Sequence, residues 1–320
     1  MKIVVTGGAG FIGANVVDAL LGQGHDVRVL DNLSTGFAIH LDAARANGGF
    51  ELVECDLLAD AARLPDLVGG SDAVIHLAAN ADVRFGWDAP RRDLEQNVVA
   101  TQNVLEAMRA TGVRRLLFSS TGSVYGETEV VPTPEDAPFP VQTSLYGASK
   151  AAAEGCIAAY AEAGHISASV FRFVSVLGPR YSHGHVIDFV RQLLTDPSTL
   201  RILGDGTQRK SYMHAHDCVA GVTSRLAHDP KFEVFNLGVD GYCTVTESAS
   251  WICARLGVTP ELAYTGGDRG WIGDNPFIYL DTARIRATGW EPRHAIREAV
   301  ESTVDYLVAN RWIFGEHPVP

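Results

Sequence analysis

Thr6-Gly7-Gly8-Ala9-Gly10-Phe11-Ile12-Gly13 follows directly on the apolar run Ile3-Val4-Val5. A short buried strand, a glycine turn and the opening of a helix are written into this stretch. Gly7, Gly10 and Gly13 let the backbone turn sharply and approach an anion, and the helix that Phe11 and Ile12 begin offers free N–H groups to it. The spacing fits a loop that cradles the pyrophosphate of a dinucleotide. Asp31, 18 residues after Gly13, closes the next apolar run. A carboxylate there binds a ribose diol and repels a 2′-phosphate, which favours NAD over NADP; a turn or capping aspartate is the alternative. Asn32, Ser34, Thr35 and Gly36 form a small polar loop suited to wrap the adenosine. Asp56-Leu57 and Leu77-Ala78-Ala79 end the third and fourth strands, where small side chains let a dinucleotide lie across the sheet edge.

Working outward, short apolar runs alternate with helix-period segments through residue 175. Ile3–Val5, Asp26–Leu30, Glu51–Glu54, Ala73–Leu77, Arg115–Ser119 and Ser169–Phe173 read as strands; Phe11–Leu21, Asp93–Ala110 and Ala148–Ala163 are the clearest helices. Strand–helix alternation predicts an α/β protein of Rossmann type, a doubly wound parallel sheet with helices on both faces. Its ligands belong at the carboxyl ends of the strands. Beyond Gly178 proline and glycine break the pattern into a smaller mixed α/β lobe. The division expected is 1–175 for the cofactor and 176–320 mainly for the substrate, with segments near 211–238 and 277–288 returning to the first lobe.

The second informative stretch is Tyr146-Gly147-Ala148-Ser149-Lys150, four residues from phenol to ammonium and so one helical face. A neighbouring cation, together with the charge of an oxidised nicotinamide, favours the phenolate, which can take a hydroxyl proton while hydride leaves the same carbon. The fifth strand ends in Ser119-Ser120-Thr121-Gly122-Ser123, from which Thr121 is placed near the reacting oxygen as donor or relay; turn-forming hydroxyls are the alternative.

Bulk properties narrow the class. The 320 residues carry 26 Lys and Arg against 38 Asp and Glu, a net charge of −12, which gives no pull toward nucleic acid or anionic membrane. Any anionic substrate must be held by a local cluster of cations. Five scattered cysteines without a CxxC fit a reducing cytosol, and so a cytoplasmic enzyme. No apolar run reaches membrane-spanning length, and the glycine-broken N-terminus does not read as a signal peptide. His183/His185 and His214/His216 have no Cys or carboxylate at ligand spacing, so they read as ordinary loop and strand histidines and no metal is expected.

In order, TGGAGFIG, DNLSTG (31–36), HLAA (76–79), Asn97 in NVVATQNVLEA, SSTGSVYG (119–126), YGASK (146–150), FRFVSVLGPR (171–180), GDGTQRKSY (204–212) and GGDRGWIGD (266–274) resemble the extended short-chain dehydrogenase/reductases, in particular the nucleotide-sugar epimerases and dehydratases. The resemblance implies Thr121, Tyr146 and Lys150 as the catalytic set. It implies cofactor contacts from the glycines, Asp31, Asn32, Asp56 and Lys150, with Asn97 and Ser119 in the same site. Ser175 replaces the asparagine usual in the sugar-phosphate region, Lys210 stands where most relatives carry arginine, and Arg269 matches the arginine of a stretched Arg-x-Gly-Asp pattern. Arg180, Lys210 and Arg269 are the candidates for the diphosphate or another substrate anion. Relatives that eliminate water carry Asp-Glu after the catalytic threonine, and those that decarboxylate carry Glu at the second place; here the pair is Gly122-Ser123. Reversible inversion at C4 of a UDP-sugar remains, by hydride transfer to bound NAD, a 4-keto intermediate, its rotation and hydride return. UDP-glucuronate to UDP-galacturonate is the first reading, with Thr121, Gly122 and Ser123 as neutral donors to the carboxylate and Arg84 and Arg180 adding charge. UDP-glucose/UDP-galactose is the second, ahead of a nucleotide-sugar reductase or a non-catalytic NAD sensor. Relatives also suggest a homodimer through helices near 93–110 and 148–163.

Overall fold

β1 (Lys2–Thr6), β2 (Asp26–Asp31), β3 (Phe50–Glu54), β4 (Ala73–His76), β5 (Arg115–Thr121) and β6 (Ser167–Phe173) lie within two residues of the strands expected. They come from a computed structural model that describes residues 1–80, 86–138, 141–270 and 277–315. A seventh strand, Phe232–Leu237, pairs with β6 although some sixty residues of chain separate them. The sheet runs seventh strand, β6, β5, β4, β1, β2, β3, all parallel. Chain order reverses between β4 and β1, which opens the crevice where such sheets bind ligands.

Alternation along β1 shows how the sheet is covered. Ile3 and Val5 join the core made with α1 (Phe11–Gly22), while Val4 joins the core on the other face with the helices Ala100–Thr111 and Leu145–Glu162. Two sequence expectations shift. The single helix expected at 93–110 is broken: Pro90–Asp93 and Ala100–Thr111 are α-helical, and Leu94–Val99 between them winds as a wider π turn that carries the buried Asn97. The helix expected from Ala148 starts at Leu145, because the Ser144 hydroxyl accepts the Gly147 N–H at 3.0 Å and caps it. Tyr146 therefore stands in a first helical turn.

The rest of the chain builds small sheets. Ser175–Leu177 pairs with Tyr212–His214, Thr199–Ile202 with Glu261–Tyr264, and Arg209–Lys210 lies between Cys243–Thr244 and Phe277–Ile278. The helices His185–Thr195, Val245–Leu256 and Ile296–Ala309 pack around one another, and Ala215–Ser224 lies against α1. No helix among the described residues is long and apolar enough to cross a membrane.

Candidate active site

The glycine loop is held by contacts that leave no space for side chains. A Cβ on Gly13 would lie 2.1 Å from the Gly7 carbonyl oxygen, and one on Gly7, whose φ is +69°, would lie 2.6 Å from the Ala78 nitrogen. The loop thus packs directly on Leu77-Ala78, with Gly10 as the N-cap of α1 and Phe11 and Ile12 in its first turn. Asp31 fastens it from the β2 side: Oδ2 accepts the Ala9 N–H at 2.9 Å and Oδ1 the Leu33 N–H at 2.8 Å. Burial pushes the Asp31 carboxyl upward, and these two bonds oppose the shift. Gly36 closes against Ala9, and Ser34 and Thr35 stand exposed beside it. Asn32 donates to Asp56 at 2.7 Å and accepts from the Ser34 hydroxyl at 2.7 Å. That bond holds Asp56 below the usual carboxylate range. Leu57 is buried, with its carbonyl accepting from Asn103, and Ala79 is half-buried past β4. The carboxyl ends of β1 to β4 therefore form one cradle of backbone N–H groups and small side chains, which fits a dinucleotide.

Tyr146 and Lys150 face the end of β5. The Lys150 ammonium, 2% exposed, donates to the Ser119 carbonyl at 2.9 Å and lies 4.7 Å from the centre of the Phe118 ring. Burial pushes the amine down to about 7. The phenol moves the other way: burial raises Tyr146 to about 12, the hydrogen bond with Thr121 opposes this, and nearby Asp93 adds to it. The depression of the phenol expected from a cation together with an oxidised nicotinamide is thus absent from the protein's own field, where burial dominates. Thr121 also accepts the Ser123 N–H at 3.1 Å, which fixes its hydroxyl at the mouth of the turn. Behind the helix the Asn97 amide donates to Ser149 at 2.9 Å and accepts the Asn80 N–H at 2.9 Å, and the Ser149 hydroxyl donates to the Tyr146 carbonyl at 2.8 Å.

The substrate candidates divide. Gly122 is buried against the strand Phe277–Ile278, where a Cβ would meet Ile278 Cγ2 at 2.8 Å. Ile278 is the register partner of Lys210, so that strand reaches the end of β5. Ser123 is half-buried, and Ser175 stands exposed two residues beyond β6. Arg269 arrives at the same rim, where its guanidinium grips Glu127 at 2.6 and 3.1 Å. Arg84 lies outside the described residues. Arg180 is a correction: its guanidinium donates to Asp18 at 2.6 Å, in a cleft of about 780 Å³ between α1 and the helix Ala215–Ser224. The sheet lies between that cleft and the helix of Tyr146, so Arg180 is withdrawn from the substrate-anion set.

A family model described as NAD dependent epimerase/dehydratase family matches residues 3–238. The chain belongs to the NAD dependent epimerase/dehydratase family. It is an NAD-dependent enzyme, consistent with the cradle of β1 to β4. A UDP-glucose 4-epimerase of Mycolicibacterium smegmatis is 34% identical over 317 residues, which cover 96% of this chain and 98% of that one. The crystal structure of a UDP-galactose 4-epimerase superposes with a TM-score of 0.87 at 36% identity, covering 98% of this chain and 100% of its own. A Bacillus cereus UDP-glucuronic acid 4-epimerase, solved with NAD and a fluorinated UDP-glucuronic acid, gives 0.88 at 27% identity, covering 97% and 99%.

Within this family member two features escaped the sequence. His294 joins His214 and His216, with one ring nitrogen from each within 4.8 Å of the others. Proton counting removes His214 as a metal ligand. Its Nδ1 accepts the His216 N–H at 3.1 Å, so Nε2 carries the proton and donates to Ser302 at 3.1 Å. Burial and the two other imidazoles push it down to about 4, which keeps it neutral. The other is Glu154, one turn beyond Lys150 and 7% exposed. Its four-residue offset from Lys150 is visible in the sequence, but the strands that bury it are not.

Proposed function

We propose that the enzyme inverts the C4 configuration of a UDP-sugar reversibly, with Tyr146 as the acid–base group. The observation that carries this is the pair after Thr121: Gly122 is packed on Ile278 and Ser123 is neutral, so neither of these two positions carries a carboxylic acid to drive elimination. NAD, held along Gly7–Gly13, Asp31 and Asp56, supplies the hydride acceptor and donor, and the positive charge of its oxidised ring favours the phenolate. Tyr146 removes the C4 hydroxyl proton and later returns it. Thr121 holds that oxygen within the same hydrogen-bonded group, and Lys150 supplies positive charge behind the phenol when protonated. Lys210 and Arg269, on the lobe of residues 176–320, and Ser175 just before it are the proposed contacts of the UDP portion, and the segments near 211–238 and 277–288 are proposed to complete the first lobe.

For the sugar, UDP-glucuronate is the first reading. Thr121 and Ser123 offer neutral donors, which hold a carboxylate without the acid that would promote its loss as CO₂ from a 4-keto acid. UDP-glucose is the second, favoured by the withdrawal of Arg180 and by the name of the Mycolicibacterium relative. Separate incubation with UDP-glucuronate, UDP-glucose and UDP-N-acetylglucosamine, without added reductant, tests both levels. A C4 epimer from one of them is expected. Net consumption of added NADH, or release of CO₂ as the main product, would sink the epimerase reading. The helices near 93–110 and 148–163 are the proposed seam of a cytoplasmic homodimer, where Gln102 and Tyr160 already join the two helices at 2.6 Å. A monomer by light scattering at working concentration would remove it.

A further inference from the structure

Glu154 is a buried carboxylate that the proton-transfer scheme does not use. It is gripped from two strands. The Ser120 hydroxyl of β5 donates to Oε1. The Arg172 guanidinium of β6 donates through Nε to Oε1 at 3.1 Å and through Nη2 to Oε2 at 2.7 Å. Arg172 also donates to the Tyr125 hydroxyl at 2.7 Å and the Glu135 carbonyl at 3.0 Å, and Tyr125 donates to Asn236 of the seventh strand at 2.8 Å. As a stability device this pair is unpromising, since a buried ion pair is often no better than apolar packing of the same volume.

Its position says more. Ser120 lies between Ser119, whose carbonyl receives the Lys150 ammonium, and Thr121, which bonds the Tyr146 hydroxyl. A hydroxyl clamped at residue 120 fixes the height of both neighbours against the helix. Residues four apart on a helix are also adjacent, so Glu154 brings its negative charge to the buried Lys150. We propose that Glu154 is a positioning residue for the reaction: it sets the register of Ser119–Thr121 on the Tyr146–Lys150 helix and holds a negative charge one helical turn from the buried Lys150 ammonium. This rests on the reading that Tyr146 and Lys150 carry the proton transfer.

The other groups around the ammonium do not replace it. Tyr146 on the same helix is a neutral phenol. His76 of β4 is held neutral by burial, pushed down to about 3, with the Lys150 charge disfavouring its protonation. Asp93 of the neighbouring helix acts on Tyr146. Arg172, Tyr125 and Glu135 surround Glu154 itself. Burial alone pushes the amine down, and Glu154 is the charge that opposes it.

The test reads Lys150 directly. The chain has four lysines, so ¹³C-labelled lysine gives few signals, and Lys150 is assigned by its loss in Lys150→Arg. Glu154→Gln is expected to lower the Lys150 titration midpoint by about one pH unit or more. The alkaline limb of kcat should move down with it, while KM for the UDP-sugar stays within about twofold. Glu154→Asp, which keeps the charge, should return most of the midpoint. An unchanged midpoint and pH profile, with only a fall in thermal stability, would overturn the proposal. If Glu154→Gln fails to fold because Arg172 is left unpaired, the double variant Glu154→Gln/Arg172→Gln removes both charges and should show a downward shift in the same direction but smaller, since the Arg172 cation goes too. A shifted midpoint in a protein silent on every UDP-sugar would uphold the charge role of Glu154 and sink the proposed function instead.

Discussion

The cofactor end of the cleft and its substrate rim are built differently. At the cofactor end the parts are backbone: N–H groups at the head of α1, the Gly13–Gly7 approach, and an Asp31 carboxylate fixed by the Ala9 and Leu33 N–H groups. At the rim the parts are long charged side chains from distant segments, and they hold one another. Arg269 grips Glu127, 142 residues away, and off the rim, across the sheet, Arg180 in the same way grips Asp18, 162 residues away. A loop that binds through its backbone cannot be diverted by a distant residue, whereas a guanidinium can. The first kind of site is therefore fixed by local sequence, and the second by whichever partner the fold delivers.

The largest expected effect probes the point where the two ends meet. Tyr146→Phe should lower kcat by about 10²- to 10⁴-fold, the usual worth of a placed acid–base group, with bound NAD unchanged in the purified protein. Loss of NAD as well would mean that the phenol belongs to the cradle. Next, Gly13→Ala places a methyl 2.1 Å from the Gly7 oxygen and should cost about 1–3 kcal/mol in urea unfolding, together with most of the retained NAD. Full NAD content in that variant would break the account of a rigid backbone cradle.

Lys150→Met should abolish turnover yet raise the melting temperature by a few degrees at pH 7. The folded amine is pushed down to about 7 from 10.5. The unfolded chain therefore binds the proton more readily across that window, and the wild type loses stability as pH falls from 10.5 toward 7. The advantage of the methionine variant should be full below pH 7 and fade as pH rises toward 10.5. Arg180→Ala should leave the ratio of UDP-glucuronate to UDP-glucose turnover within about twofold and cost about 1 kcal/mol of stability, as a partly exposed pair does. A selective loss of uronate turnover would restore the role withdrawn here. Smallest of all, Glu127→Gln should lower KM for the UDP-sugar by about twofold by releasing Arg269; an unchanged KM would place the diphosphate elsewhere.

The sheet was legible because each of its first six strands carries its own apolar run, and the glycine loop because close backbone approach demands glycine. The TyrxxxLys spacing conveyed a shared helical face but not the field acting on it. Burial depends on the helix landing against β5, which no local pattern encodes, so the upward push on the phenol within the protein's own field was not legible. Arg180 was misread for a similar reason: its Gly-Pro-Arg context marks a turn, and only tertiary packing turns the side chain onto α1. The π turn at Leu94–Val99 hid inside a helical period that differs from it by one residue per turn.

The seventh strand has a consequence for how the chain is made. β6 becomes an internal strand only when Phe232–Leu237 pairs with it, and that segment follows β6 by some sixty residues. Until then its apolar side chains end in an unpaired edge, a template for other chains. The closing contact is also long in sequence, which slows completion of the sheet. A fragment ending at residue 175 should carry the whole glycine loop and still collect in inclusion bodies, whereas one extended to residue 240 can close its edge.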